Sequence, residues 1–207
     1  MSEIMLYMVI DTLCGALFAL PLVWDFWWIC GDRGLRRGLL AGVFTLYLCA
    51  MFNVVGIPGL PYFRWVPTVN LIPFGDEKSV RFFLQLGLNA VMFLPFGFLL
   101  PVLWPKCRSW KVTTLAGLLT SRLIEFLQLF SFRATDVDDL LMNTLGAFLG
   151  YGLAWLFFRR SWLRPEANSC RVNEWVRLSV TILIPLLTFI FIAPFVNQWV
   201  YGLPMFS

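Results

Sequence analysis

Six long runs of apolar residues, separated by short polar segments, dominate the pattern of this 207-residue chain. They cover Met5–Ile29, Gly38–Val55, Phe82–Trp104, Val112–Phe130, Leu140–Phe158 and Leu178–Val200. Because an α-helix rises about 1.5 Å per residue, about 20 apolar residues cross the roughly 30 Å hydrocarbon core of a bilayer. The pattern therefore predicts an all-α integral membrane protein, a polytopic bundle of about six transmembrane helices in the cell membrane.

Composition and charge distribution agree with this class. Hydrophobic residues make up 59% of the chain, charged residues 14%, and the mean hydropathy is +0.77. The segments Gly31–Arg37, Pro105–Lys111 and Arg159–Arg177 hold eleven of the sixteen lysines and arginines. Under the positive-inside rule these loops face the cytoplasm, so both termini are predicted to be extracytoplasmic. The net charge of +4 then reflects topology and attraction to anionic lipid, and predicts no nucleic-acid partner.

The chain contains no histidine. This excludes His-dependent catalytic triads, zinc sites of the HExxH type and histidine proton relays. The five cysteines lie within helices or near the predicted cytoplasmic face, so we expect free thiols rather than disulfides. No metal site and no cofactor is predicted, and any chemistry must use carboxylates, arginine, lysine, hydroxyls, amides or a hard cation such as Mg²⁺ or Ca²⁺.

The start of the fifth predicted helix carries a stripe of polar and small residues. At about 100° per residue, Asp136, Asp139, Asn143, Gly146 and Gly150 fall within an arc of roughly 80°. Gly146 and Gly150 form a GxxxG pair, which predicts close packing against the third or fourth helix. Asp138 points about 200° away from Asp136, so we expect it to be a solvated charge or a helix-start carboxylate.

Polar residues of three predicted helices lie at a similar depth in the outer half of the membrane. They are Gln85 and Asn89 on the third helix, Arg122, Glu125 and Gln128 on the fourth, and Asn143 on the fifth; Asp11 of the first helix is a further candidate. Placing ionisable residues within a membrane helix costs free energy, so we expect them to have a structural or functional role. In the structural alternative, Arg122 pairs with Glu125, and Asn143 bonds to Gln128 or Asn89. We favour an outward-facing cavity, because helix packing rarely needs Glu125, Asp136 and Asp139 beside Arg133.

The loop before the third helix is the candidate cover of this cavity. It contains Pro61, Pro67 and Pro73 with aromatic residues between them, which disfavours a regular helix. Its apolar and aromatic residues suit the membrane interface, and Asn70 would be its polar contact with the cavity. An ordinary interfacial loop is the alternative.

Four ordered sequence blocks resemble the VanZ-like family. They are Asn70-Leu-Ile-Pro73-Phe74, Asn89-Ala-Val-Met-Phe93-Leu-Pro95-Phe96-Gly97, Glu125-x-x-Gln128, and Arg133-x-x-Asp136-x-Asp138-Asp139-x-x-x-Asn143-x-x-Gly146-x-x-x-Gly150-Tyr151. The resemblance divides the chain into two N-terminal helices and the start of an external loop (1–69), a VanZ-like core (70–152), and the end of helix five, a basic cytoplasmic loop and helix six (153–207). It implies ligand-binding roles for Asn70, Asn89, Glu125, Gln128, Arg133, Asp136, Asp139 and Asn143. Ala134-Thr135 departs from the family pattern, in which an aromatic residue often precedes the first aspartate.

The family takes its name from a membrane protein associated with low-level teicoplanin resistance in Gram-positive bacteria. The resemblance therefore implies binding or modulation of an envelope lipid, a lipid-linked wall precursor or the lipoglycopeptide, with Arg133 contacting an anionic group. A carboxylate-dependent hydrolase or transferase is one alternative, with Glu125 as general acid or base and Asp136 and Asp139 positioning substrate or a divalent cation. A small lipid transporter is another. The chain offers no obvious activated nucleophile, which disfavours an enzyme.

Overall fold

The computed structural model describes residues 2–31, 34–60, 63–65, 69–70, 79–131, 135–159 and 172–201. Its helices are α1 (Ser2–Ile29), α2 (Leu35–Val54), α3 (Val80–Leu103), α4 (Trp110–Gln128), α5 (Val137–Arg159) and α6 (Glu174–Leu187), which continues through a π-helical turn (Thr188–Ile192) into α7 (Ala193–Tyr201). A 3-10 turn at Pro105–Arg108 precedes α4, and the two-residue strands β1 (Val69–Asn70) and β2 (Thr135–Asp136) pair in parallel. Each predicted apolar run coincides with a helix, which confirms the all-helical, multi-pass class.

Five segments of the described chain are long and apolar enough to cross a membrane. They are Met8–Ile29, Leu35–Val54, Val80–Leu103, Val137–Phe157 and Glu174–Val196. The remaining predicted crossing, the fourth run, forms the 19-residue helix α4, whose second half carries the polar residues Arg122, Glu125 and Gln128. Glu125 and Gln128, which lower the hydropathy of α4, are among the residues that the sequence assigned to a functional site.

The first compact unit combines both ends of the chain, Met1–Arg64 with Asn168–Ser207. Within it, α1 and α2 pack through small side chains, since Ala16, Ala19 and Cys49 form a buried cluster. Small residues let two membrane helices approach closely. Nearer the start of α1, the side-chain amide of Asn53 donates to the carbonyl oxygen of Met8 at 2.6 Å. This unit therefore has its own packed interior.

The second unit, Trp65–Ala167, contains α3, α4 and α5. Here α5 packs on α3 with main chain against main chain: a Cβ atom at Gly146 would overlap the carbonyl oxygen of Ala90, and one at Gly150 would overlap that of Leu94. In return, a Cβ atom at Gly97 of α3 would overlap the carbonyl oxygen of Ala147. Only glycine allows these approaches, so the GxxxG pair lies where α5 meets α3.

Candidate functional site

The predicted polar residues of the second unit meet where α4 ends and α5 begins. Helix α4 ends at Gln128, whose carbonyl oxygen accepts hydrogen bonds from the main-chain amide and the hydroxyl of Ser131, both at 2.9 Å. After β2, the chain enters α5 at Val137, so Asp136 is the residue immediately before the helix. Its Oδ1 atom accepts a hydrogen bond from the amide of Asp138 at 2.9 Å, which is the arrangement of an N-cap. A carboxylate here also suits the positive end of the helix dipole.

The second oxygen of Asp136 connects the loop before α3 to this helix start. In the parallel pairing, Asn70 lies opposite Asp136, and Asn70 Nδ2 donates to Asp136 Oδ2 at 3.3 Å. Nearby in the sequence, the ring of Trp65 packs on that of Phe130 with centroids 5.2 Å apart. The described parts of the loop therefore contact the α4–α5 connection at two points.

Glu125 is the most buried of the three carboxylates that the sequence selected, with 7% of its surface exposed. Its Oε2 atom accepts a hydrogen bond from the main-chain amide of Asp136 at 3.2 Å. Arg122, three residues earlier on α4, is exposed. Glu125 is thus held at least in part by the Asp136 amide, and the pairing of Arg122 with Glu125 stays a prediction.

Asp139 and Asn89 link α5 to α3 through their side chains. Asn89 Nδ2 donates a hydrogen bond to Asp139 Oδ1. Gln85, one turn earlier on α3, is exposed, whereas Asn89 is half-buried. Of the two amides that the sequence placed on one face of this helix, the site thus includes Asn89.

The expectation that Asp138 is a solvated charge was wrong. Asp138 is 1% exposed and lies in the first turn of α5, so only its assignment as a helix-start carboxylate holds. Rotation around α5 does place Asp138 off the stripe of Asp139 and Asn143, but a position off that stripe is not necessarily exposed. Asp138 is therefore a buried carboxyl group in the first turn of α5, between the site residues Asp136 and Asp139 in the sequence.

Asn143 lies one turn deeper than Asp139 and bonds to a residue that the sequence did not single out. Its Nδ2 atom donates to the hydroxyl of Ser121 at 3.0 Å, and the two residues are 3% and 0% exposed. Asn143 Oδ1 is buried and has no hydrogen-bond partner among the described residues. The expected partners, Gln128 or Asn89, are not the ones observed. The i, i+4 spacing of Ser121 and Glu125 on one face of α4 could have indicated Ser121.

Three predicted residues remain to be placed: Gln128, Arg133 and Asp11. Gln128 is buried, with 5% of its surface exposed. Arg133 lies outside the described residues, and Asp11 belongs to the other unit. Within the described ranges, no three acidic, cysteine or histidine side chains are arranged to hold a metal ion. The described side chains thus bring together carboxylates and carboxamides from α3, α4, α5 and β1.

These observations define a class: a multi-pass helical membrane protein with a carboxylate and amide cluster in its α3–α5 unit. The VanZ/LLP1 family model matches residues 44–158, more than half of the chain, and the chain belongs to this family. It is 35% identical over 130 residues to Protein VanZ of Enterococcus faecium, an alignment that covers 58% of this chain and 75% of that protein. No solved structure matches the chain. All eight residues that the resemblance selected fall within the matched range.

Proposed function

We propose that this VanZ-family protein binds or modulates a cell-envelope lipid or a lipid-linked wall component at an extracytoplasmic polar site. The site consists of Asn70, Asn89, Glu125, Gln128, Arg133, Asp136, Asp139 and Asn143. The observation that supports it most is the continuous chain of hydrogen bonds from Asn70 through Asp136 to Glu125, which joins three separate segments. A membrane anchor needs no such set of buried and half-buried carboxylates.

The chemistry of the described side chains favours a ligand that donates hydrogen bonds. Ionised carboxylates only accept hydrogen bonds, and Asn143 Oδ1 is an additional buried acceptor. Burying acceptors is costly unless donors satisfy them. Hydroxyl and ammonium groups of lipid headgroups or lipid-linked saccharides supply such donors. Arg133 would complete the site by contacting an anionic group of the same ligand.

The orientation inferred from the basic loops suits this ligand class. The loop that contains Asn70 and the α4–α5 connection are predicted to face outward, where wall precursors are exposed. The family's association with teicoplanin fits, because teicoplanin acts on those precursors and carries a lipid tail. Engaging the precursor or the lipoglycopeptide at the outer surface would reduce the effect of the drug.

A carboxylate-dependent hydrolase or transferase is the second candidate, and the burial of Glu125 favours it. A carboxyl group shielded from water, beside further carboxyl groups, suits a general acid or base. In that case Asp136 and Asp139 would position the substrate. The two candidates differ in how they respond to Glu125→Gln, which keeps the size and hydrogen-bonding ability of the side chain but removes its acid–base chemistry.

Drug susceptibility in a Gram-positive host tests the proposal. We would express wild type, Arg133→Ala, Asp136→Asn and Glu125→Gln at matched membrane levels, and compare teicoplanin with vancomycin. Asp136→Asn is informative because asparagine also caps helices well, so the charge is lost while the cap remains. The control is Asp25→Asn, which changes an exposed carboxylate on α1 in the other unit.

We expect wild type and Asp25→Asn to protect selectively against teicoplanin, and Arg133→Ala and Asp136→Asn to lose that protection. Retained protection by Glu125→Gln supports binding, whereas its loss at normal abundance supports the enzyme. If all variants protect as well as wild type, the polar site is structural and the proposal fails. If wild type gives no protection, the proposed link to this drug fails.

A further inference from the structure

The first unit contains an apolar groove that the proposed function does not use. It has a volume of about 490 Å³ and runs between α1 and α2, with Leu20, Trp24, Trp27, Gly38, Gly42 and Leu46 among its lining residues. From Gly38 to Leu46 the groove follows α2 for about 12 Å at 1.5 Å per residue. Its volume lies within the range of about 300–1,000 Å³ that is usual for small-molecule sites. The groove is therefore long and apolar enough for part of an acyl chain.

The walls of the groove are fixed by contacts within the same unit. Trp27 is 2% exposed, its indole Nε1 donates to the hydroxyl of Thr181 at 3.1 Å, and the guanidinium of Arg177 lies 4.4 Å from its ring centroid. Trp24 lies directly over Gly38, where a Cβ atom would press into the indole ring. A groove with such walls is preformed, so little ordering of side chains opposes binding.

Positive charge is concentrated at the end of the groove nearest the α1–α2 turn. Arg36 and Arg37 lie in the first turn of α2, immediately before Gly38, and the fully buried Arg177 lies behind the Trp27 wall. The first helical turn of α2 contains no acidic residue, and its N-cap, Gly34, has no side chain to cap it. A helix N-terminus attracts anions, and the charges of Arg36 and Arg37 beside it add to that attraction.

We propose that this groove binds an anionic phospholipid, with one acyl chain between α1 and α2 and the phosphate against Arg36 and Arg37. The occupant is a lipid because the groove is lined by apolar and indole side chains along its length, and because Arg36 and Arg37 immediately precede its lining residue Gly38. Tryptophan and arginine at this position also match the composition of a membrane interface. The groove belongs to the first unit and the polar cluster to the second, and the inference does not depend on the proposed function.

Native mass spectrometry of the full-length protein in detergent tests the site. We would titrate phosphatidylglycerol and phosphatidylcholine with identical acyl chains, and measure the apparent affinity of the first lipid retained. An arginine near a lipid surface contributes roughly fivefold in affinity for anionic lipid. We therefore expect Arg36→Gln with Arg37→Gln to reduce the preference for phosphatidylglycerol by about 25-fold. Phosphatidylcholine binding should change little.

A second variant tests the acyl-chain position without changing charge. Gly42 lines the groove, and an added Cβ atom there would lie 3.8 Å from Leu20 Cδ2, an ordinary contact, so Gly42→Leu adds bulk at the groove wall and its Cβ atom causes no overlap. We expect it to weaken retention of both lipids. Lys111→Gln, at an exposed position on α4 in the other unit, is the control for a general loss of positive charge.

Three results of the lipid titration would overturn the proposal. They are equal affinity of wild type for the two lipids, unchanged phosphatidylglycerol preference in the double arginine variant, and an equal loss in Lys111→Gln. A dimer of wild type that dissociates in Gly42→Leu would also overturn it, because a second copy would then occupy the groove. Size-exclusion profiles and thermal unfolding establish that each variant is folded; should Gly42→Leu not fold, Gly42→Ala provides a smaller intrusion with the same expected direction.

Discussion

The main-chain amide of Asp136 donates a hydrogen bond to the carboxylate of Glu125 across 3.2 Å, and so ties the start of α5 to the last turn of α4. Glu125 is thereby a structural acceptor as well as a candidate ligand-binding group. Substitutions at this position must distinguish the two roles. The amide side chain of glutamine retains a hydrogen-bond acceptor, whereas leucine of similar size retains none.

We predict that Glu125→Leu destabilises the protein and Glu125→Gln does not. Leucine leaves the Asp136 amide without this acceptor, at a cost of about 1–3 kcal/mol. Thermal unfolding in detergent, followed by the fraction of monodisperse protein, measures the difference. Arg122→Gln is the control, because this exposed residue lies one turn away on the same helix. Equal stability of the leucine and glutamine variants would mean that the hydrogen bond from the Asp136 amide does not contribute to stability.

Alanine substitutions at Gly146 and Gly150 are predicted to be destabilising. Each added methyl group would overlap a main-chain carbonyl of α3, so the helices must separate, which costs typically about 1–3 kcal/mol. Gly152→Ala, on the same helix with no described atom within 4 Å of the added carbon, should be neutral or slightly stabilising. Unfolding midpoints of the three variants test this; a Gly152→Ala variant as unstable as Gly146→Ala would argue against the close α3–α5 contact.

The bond between Asn89 and Asp139 is predicted to couple α3 to α5 energetically. In a double-mutant cycle with Asn89→Ala and Asp139→Ala, we expect an interaction free energy of about 0.5–3 kcal/mol. The matched cycle uses Gln85→Ala, an exposed amide one turn earlier, with Asp139→Ala, and should give a value near zero. Free energies of unfolding of the single and double variants supply both numbers. Similar coupling in the two cycles would contradict the contact.

Ser121→Ala is predicted to destabilise the buried amide of Asn143. Removal of the hydroxyl leaves Asn143 Nδ2 without this acceptor inside the helix bundle, which costs about 1–3 kcal/mol. Ser109→Ala, at an exposed position before α4 where the side chain makes no capping bond, provides the comparison. The unfolding temperature should fall in the first variant and stay close to wild type in the second. No difference between them would mean that the bond contributes nothing to stability.

Much of the fold follows from the sequence because membrane thickness fixes helix length and the apolar runs match it. The helical periodicity after Val137 also placed Asp139, Asn143, Gly146 and Gly150 on one side of α5. The same periodicity did not predict the burial of Asp138, because a position on another side of the helix can also be buried.

Other features depend on which segments approach one another, and a single sequence does not encode that locally. The pairing of Asn70 with Asp136 joins residues 66 positions apart through strands of only two residues. Ser121 and Gly97 gain their roles from α5, whose neighbours could be predicted only as the third or fourth helix. Arg133 remains a prediction outside the described residues.

The contact of α5 with α3 is made by main-chain atoms on the α3 side, at Ala90 and Leu94. A carbonyl oxygen is the same in every residue type, so the identity of the side chains at these two positions is not what the glycines fit. We therefore expect homologues to vary at 90 and 94 without compensating changes at 146 and 150. Methods that predict contacts from correlated substitutions among homologues would then miss the close contact between α3 and α5. Only the invariance of the two glycines would indicate that contact.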